Sequence, residues 1–422
     1  MPACVFLQVV LVSRFLQANL KFRGVAIKIV TRHNINFDRK EIVALLAHIL
    51  GPQSVDGEDI LQFEEEFASY HGVRYAVAFA SARSALYSIL SSMDLKSGSE
   101  VIVPSYSFFS VPNVVEALGF TPVFAKNHPF NFAIDPEFLE QSISSRTSAI
   151  VVEHPFGQMA PIKEILEIAD KHGLPVIEDP SQSIGAKLDD KPAGSFALAA
   201  TSSLVHGKNL TTLGGGMAIT DDEQLYRGIL EKSIKADSYT GMSVRMKGLG
   251  GLLNFALATK KGFTAGPFLP FYLLNLISRK KLEAIFDEEP EKFVPSSVKR
   301  LSNLQAVLGR MQLERLDARN DIRRRNAEYI ISGLRDVKQV KLPEVIDGCR
   351  GTWNALPIRV ENSIEFQHKL FVRGVDSRSD YMTLYDHHNE WKKHGEVLYL
   401  PSHPAMDQSD CQAVVETVKK IV

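Results

Sequence analysis

Lys208 lies in SSLVHGKNLTTLGGGMAIT, residues 202–220, a stretch of small residues and glycines between two apolar runs. An amine in that setting suits covalent chemistry with a carbonyl: it attacks only when unprotonated, and desolvation in a cavity disfavours the charged form. An acidic pair, Glu178 and Asp179, closes the apolar run of PVIEDPSQSIGA, residues 175–186, with Ser181 and Gln182 directly after it. A carboxylate at a strand end can face a protonated ring nitrogen, the arrangement that makes a conjugated ring an electron sink. Taken singly, each group also has a plainer reading, a surface-loop lysine and a helix-capping acid.

Two further stretches add ligand-binding capacity. In FASARSAL, residues 79–86, an apolar run over 76–79 leads into a helical pattern with Ala85, Leu86, Ile89 and Leu90 on one face. The amides of Ala82, Arg83 and Ser84 then open a helix, where backbone N–H groups and the helix dipole favour an anion such as phosphate. In VIVPSYSFFSVPN, residues 101–113, Tyr106, Phe108 and Phe109 follow a strand end. One such ring can stack on a flat ligand, although ordinary core packing explains an aromatic there equally well.

These groups need a scaffold, and the surrounding pattern predicts one. Apolar runs over 101–104, 122–125, 149–152, 175–177 and 216–220 read as strands. The clearest helix between them spans 162–172, with Ile165, Leu166, Ile168 and Ala169 on one face and Gly173 as terminator. Such alternation predicts an α/β domain, a mostly parallel sheet sandwiched by helices, with ligands collecting at the carboxyl ends of the strands. The large domain is placed at 38–320, including a hydrophobic insertion at 248–292, and 1–37 is read as an N-terminal extension. Leu301, Leu304, Leu308 and Met311 mark one face of a single long helix ending in the charged run 315–325, taken as a solvated face. Strand-like runs at 337–342 and 354–360, and helices at 364–372 and after Asp407, predict a smaller C-terminal α+β domain over 321–422.

Composition narrows the function classes. With 48 basic and 49 acidic side chains the formal charge is −1, which removes any bulk electrostatic argument for nucleic acid or an anionic membrane. The three cysteines, Cys4, Cys349 and Cys411, have no CxxC spacing, so neither a disulfide framework nor a zinc site is expected, and a reducing cytoplasm fits best. His387 and His388 lack a partner at ligand spacing, so no metal is expected. The apolar run at 5–12 follows no positive charge and reads as non-targeting. Residues 248–281 contain Pro267 and Pro270, which break a membrane-spanning helix. Flanking Lys260, Lys261, Arg279, Lys280 and Lys281 permit membrane-surface contact, but an insertion packed on the body or at a subunit interface is the preferred reading. Gly214–Gly215–Gly216 opens a strand rather than a helix, against a dinucleotide-binding fingerprint.

Taken in order, these strings resemble the DegT/StrS family of sugar aminotransferases, which share the aspartate-aminotransferase fold. The resemblance covers about residues 38–422 and includes LQFEEEFASYHGVRYAVAFASARSALYSIL, EVIVPSYSFFSVPNVVEALGFTPVF, FGQMAPIKEILEIADKHGLPVIEDPSQSIGA and VLYLPSHPAMDQSDCQAVVETVKKI. It implies a pyridoxal 5′-phosphate enzyme in which Lys208 is the Schiff-base lysine and proton shuttle, Asp179 the partner of the pyridine nitrogen, and Gln182 a neighbour of the ring. It further implies that Ser203 binds the phosphate, that Phe108 stacks on the ring, and that Ala82 and Arg83 form the phosphate turn. The implied substrate is a nucleotide-linked keto sugar, with glutamate or glutamine as amino donor, and the implied assembly is a homodimer with shared sites. The chain departs from the family at three places: Ala82–Arg83 replaces a Gly-Thr, Val298 replaces an asparagine two residues before the retained Arg300, and 248–292 is long. Family members that dehydrate sugars carry histidine in place of the lysine, so Lys208 favours transamination. A non-catalytic homologue is the other alternative, and it gives no reason to keep both Asp179 and Lys208.

Overall fold

The computed structural model describes residues 21–22, 25–26, 28–32, 37–51, 55–259, 292–379, 382–385 and 391–422. Its centre is a seven-stranded sheet. The strands are β1 (Tyr75–Phe79), β2 (Glu100–Pro104), β3 (Thr121–Ala125), β4 (Thr147–Glu153), β5 (Val176–Asp179), β6 (Ala199–Ser203) and β7 (Gly216–Thr220). They lie in the order β1-β7-β6-β5-β4-β2-β3. All neighbouring pairs from β6 to β3 are parallel, and β7 runs antiparallel to both β1 and β6.

Among the described residues the helices, in chain order, are α1 (Arg39–Leu50), α2 (Glu58–His71), α3 (Ala82–Ser92), α4 (Ser110–Ala117), α5 (Pro136–Ser142) and α6 (Ile162–Lys171). They continue with α7 (Glu223–Lys235), α8 (Gly241–Ala258), α9 (Asn303–Leu313), α10 (Leu316–Leu334), α11 (Ser363–Phe371) and α12 (Gln408–Ile421). Because β-strand side chains alternate between faces, the apolar strand runs divide into two cores. Val101, Val103 and Val151 join Leu86, Ile89 and Val114 from α3 and α4 on one face. Ile102, Ile150 and Val152 join Leu139, Ile162 and Ile165 from α5 and α6 on the other. Helices on both faces explain why these strands read as unbroken apolar runs rather than alternating ones.

The C-terminal layer holds an antiparallel pair, β8 (Leu356–Val360) and β9 (Glu396–Leu400), against α10, α11 and α12. Its core includes Ile330, Leu356, Leu370, Leu398 and Val414, and also Val30, so residues 28–32 of the expected extension are built into this layer. Helix α10 spans the position expected as the domain boundary.

Three sequence expectations are corrected. The single long helix after Leu301 is two helices, α9 and α10, which part at Glu314 and Arg315. The charged run is not simply a solvated face: Arg319 is 8% and Arg323 7% exposed. Arg315 and Arg319 turn instead toward the buried carboxylate of Glu41 on α1, Arg315 at 2.6 Å, so charge alone misreports burial when a partner lies in another element. The run 337–342 forms no strand; only Lys341 bridges to Arg359. Of the hydrophobic insertion, residues 248–259 belong to α8 and its end, where Phe255 stacks on Phe37 at 5.8 Å. Residues 260–291 of the insertion, with the basic residues on which the expected membrane contact rests, the run at 5–12, Cys4 and the His387–His388 pair lie outside the described residues. Among the described residues no helix is long and apolar enough to cross a membrane, and no cluster of metal-ligating side chains occurs.

Candidate active site

Strands β4 and β5 end side by side, with Glu153 and Asp179 as register partners. The pleat separates the acidic pair at the end of β5. Glu178 turns into the body, where it takes N–H bonds from Gly194, Phe196 and Ala197 at 2.7–2.9 Å and one from His154 Nε2 at 2.8 Å. His154 Nδ1 accepts from the Ala160 N–H at 2.9 Å, which sets the tautomer so that Nε2–H donates to Glu178. Asp179 turns the other way, and its Oδ1 accepts from the Ser181 N–H at 2.9 Å.

Burial raises the Asp179 carboxyl above its ordinary 3.8, against the pull of the Ser181 donors and of the Lys208 charge. Lys208 is itself buried, 9% exposed, in the loop between β6 and β7. Its backbone N–H donates to the Val205 carbonyl at 3.3 Å, and the loop is pinned where Asn209 donates to Asn320 of α10 at 2.9 Å. Two carboxyls, Asp179 and Glu153, thus feel the same ammonium.

The turn expected to bind an anion stands at the same end of the sheet. Ser203 pairs with Gly216 across β6 and β7, and Gly216 pairs with Phe79 at the end of β1. Helix α3 begins directly after that strand. Ser81 caps it by accepting the Ser84 N–H at 3.2 Å, leaving the Ala82 and Arg83 amides in the open first turn. A Cβ on Gly216 would sit 2.3 Å from the Ala82 nitrogen, so only glycine lets the turn lie against β7. Thr201 secures it from β6 with a bond to the Ala82 carbonyl at 3.2 Å. The segment of Lys299 and Arg300 lies along Phe79 and Ala80 beside the turn, and Val298 packs on the adjoining core.

Phe108 follows the short strand Tyr106–Ser107, which pairs with Thr383–Leu384 of the C-terminal layer. Its ring lies 4.5 Å from that of Phe109 and packs at the edge of the Tyr106, Phe156 and Tyr399 cluster. Gln182 is committed to scaffold contacts, accepting the Phe156 N–H at 3.1 Å and reaching Met382 Sδ at 3.3 Å. The sequence reading missed Glu153, although it carries the same signal as Asp179, an acid closing an apolar run. The expected strand 149–152 stopped one residue short of it.

A buried amine and two strand-end carboxyls thus stand with open helix amides at one end of the sheet, where such amides favour an anion and such carboxyls a cation. The chain matches the DegT/DnrJ/EryC1/StrS aminotransferase family over residues 36–251 and 277–419. The chain belongs to that family. It is 32% identical over 377 residues to a dTDP-3-amino-3,6-dideoxy-α-D-galactopyranose transaminase of Aneurinibacillus thermoaerophilus, covering 86% of this chain and 90% of that protein. It is 41% identical over 169 residues to the GDP-perosamine synthase of Caulobacter vibrioides, covering 40% and 46%. Among solved structures it superposes on DesV of S. venezuelae, crystallised with a ketimine intermediate, at a TM-score of 0.68 and 26% identity, covering 90% and 94%. The fold is of the aspartate-aminotransferase kind, and membership makes the chain an aminotransferase.

Proposed function

We propose that this aminotransferase uses pyridoxal 5′-phosphate anchored on Lys208 to move an amino group from glutamate or glutamine to a nucleotide-linked keto sugar, working as a homodimer. The observation that carries the cofactor assignment is the convergence of Lys208, Asp179 and the Ala82–Arg83 turn on one end of the sheet. The transaminase and synthase named above support the sugar substrate. Bound there, the cofactor supplies the electron sink that amino transfer requires.

The chain's own groups divide the remaining work. The Ala82 and Arg83 amides and the Ser203 hydroxyl bind phosphate, and the Arg83 guanidinium adds charge where a hydroxyl donor is usual. Asp179 would hold a proton on the ring nitrogen and Phe108 would pack against the ring, while Gln182 keeps the 156 and 382 segments in place. Lys208 Nζ is the covalent anchor and the group that moves a proton at the substrate carbon.

Purified protein supplied with the cofactor should show a visible absorption band that borohydride fixes, and Lys208→Ala should lack it. Adding glutamate or glutamine should convert that band to the near-ultraviolet form. No band with excess cofactor would overturn the proposal.

A further inference from the structure

Glu153 has no part in the function above, yet it sits at the centre of the site. It is 6% exposed, and its carboxyl accepts the Ser107 hydroxyl and the Phe108 backbone N–H. On the adjacent strand its register partner is Asp179, and neighbouring strands lie ~4.8 Å apart. We propose that Glu153 is a positioning residue that ties the Phe108 segment to the Asp179 strand and shares one proton with Asp179, so that the paired carboxyls carry a single negative charge. The role given to Phe108 and Asp179 rests on the cofactor reading; the shared proton does not.

Charge balance supports the second half. The titratable groups facing Glu153 are Asp179 from β5, Lys208 from the loop after β6 and Tyr385 from beyond the Thr383–Leu384 strand. Two carboxylates and one ammonium in an enclosed space leave one anion in excess, and retaining a proton is the inexpensive remedy. Burial, reinforced by Asp179, accordingly pushes the Glu153 carboxyl up to about 8. The Ser107 bond decides where the carboxyl points, and Phe108 is the next residue in the chain. A single charge is also what a ring-nitrogen cation would match.

Because the folded carboxyl binds its proton more tightly than the unfolded one, the folded state holds more protons between the two values. Stability fully present below the ordinary 4.5 therefore falls as pH rises and is lost once pH passes about 8. Glu153→Gln keeps an acceptor for Ser107 and Phe108 and cannot ionise.

The experiment is thermal unfolding of the cofactor-free protein from pH 5 to 9, wild type beside Glu153→Gln, followed by pH titration of the visible band after adding pyridoxal 5′-phosphate. The wild type should lose melting temperature relative to the variant across that range. Its visible band should persist to higher pH than the variant's, by on the order of one pH unit, because ionised Glu153 favours the protonated chromophore. Parallel unfolding profiles and coincident titrations would overturn the inference. If Glu153→Gln fails to fold, Ser107→Ala takes its place: losing a donor to the ionised form should carry the wild-type decline to higher pH, and an unmoved decline would overturn the inference. A wild type without a visible band defeats the cofactor reading while the unfolding profiles still decide the shared proton.

Discussion

At the scale of residues, the pleat gives adjacent acids different work. Glu178 is held below its ordinary 4.5 although burial pushes it up, because His154 and the amides of Gly194 and Ala197 outweigh that cost. Removing it leaves three buried amides and an imidazole unpaired, and Glu178→Ala should cost on the order of 3–5 kcal/mol in urea unfolding at pH 7. The sign of its pH dependence is opposite to that of Glu153. A depressed carboxylate stabilises above its ordinary 4.5, and that contribution is lost as pH falls through the folded value, so the wild type should lose its advantage over the variant in acid. Unfolding curves whose separation is the same at pH 3 and pH 7 would contradict this. Asp179, one residue on, turns the other way and accepts the Ser181 N–H.

At the scale of elements, the turn that opens α3, proposed to bind phosphate, is a docking problem between α3 and β7. The first-turn amides are available because Ser81 caps the next N–H, and they stand where they do because Gly216 presents no Cβ. Gly216→Ala brings a methyl against backbone rather than a yielding side-chain end, so the turn or the strand must shift. Overpacking of this kind costs about 1–3 kcal/mol. Cofactor titration should show at least a tenfold weaker affinity, with the visible band restored at high cofactor concentration. Unchanged affinity would mean that the turn does not hold the phosphate.

At the scale of the whole molecule, α10 connects the C-terminal layer to the site. Asn320 receives a hydrogen bond from Asn209, the neighbour of Lys208, and donates to the Ile184 carbonyl at 3.0 Å, beyond Asp179. One amide therefore clamps the loop that carries Lys208 to the segment that follows Asp179. Asn320→Ala should cost about 1–3 kcal/mol of stability and speed cofactor loss on dilution, read by gel filtration and absorbance. An equally firm cofactor would show that the loops hold their form without the helix. Arg315, just before the same helix, and Arg319 within it tie its start to Glu41 of α1.

The sheet, its helices and the gathering of Lys208, Asp179, Ala82 and Arg83 at one end of it were legible in the sequence because their signals are local. An apolar run of strand length, a lysine among glycines and a small-residue helix start each lie within a few consecutive positions. Strand ends proved less legible, and Glu153 was lost to a boundary drawn at Val152. The break at Glu314, the burial of Arg319 and Arg323, and the absence of a strand over 337–342 were illegible, because each depends on partners far away in the chain. The same holds within the site. Sequence alone determined which groups could do chemistry and that a mostly parallel sheet would bring them to its carboxyl ends. Only the tertiary structure decided that Glu178 serves the scaffold and that Glu153 stands beside Asp179, since pleat direction and strand order, not chain neighbourhood, set which charges meet in a buried space.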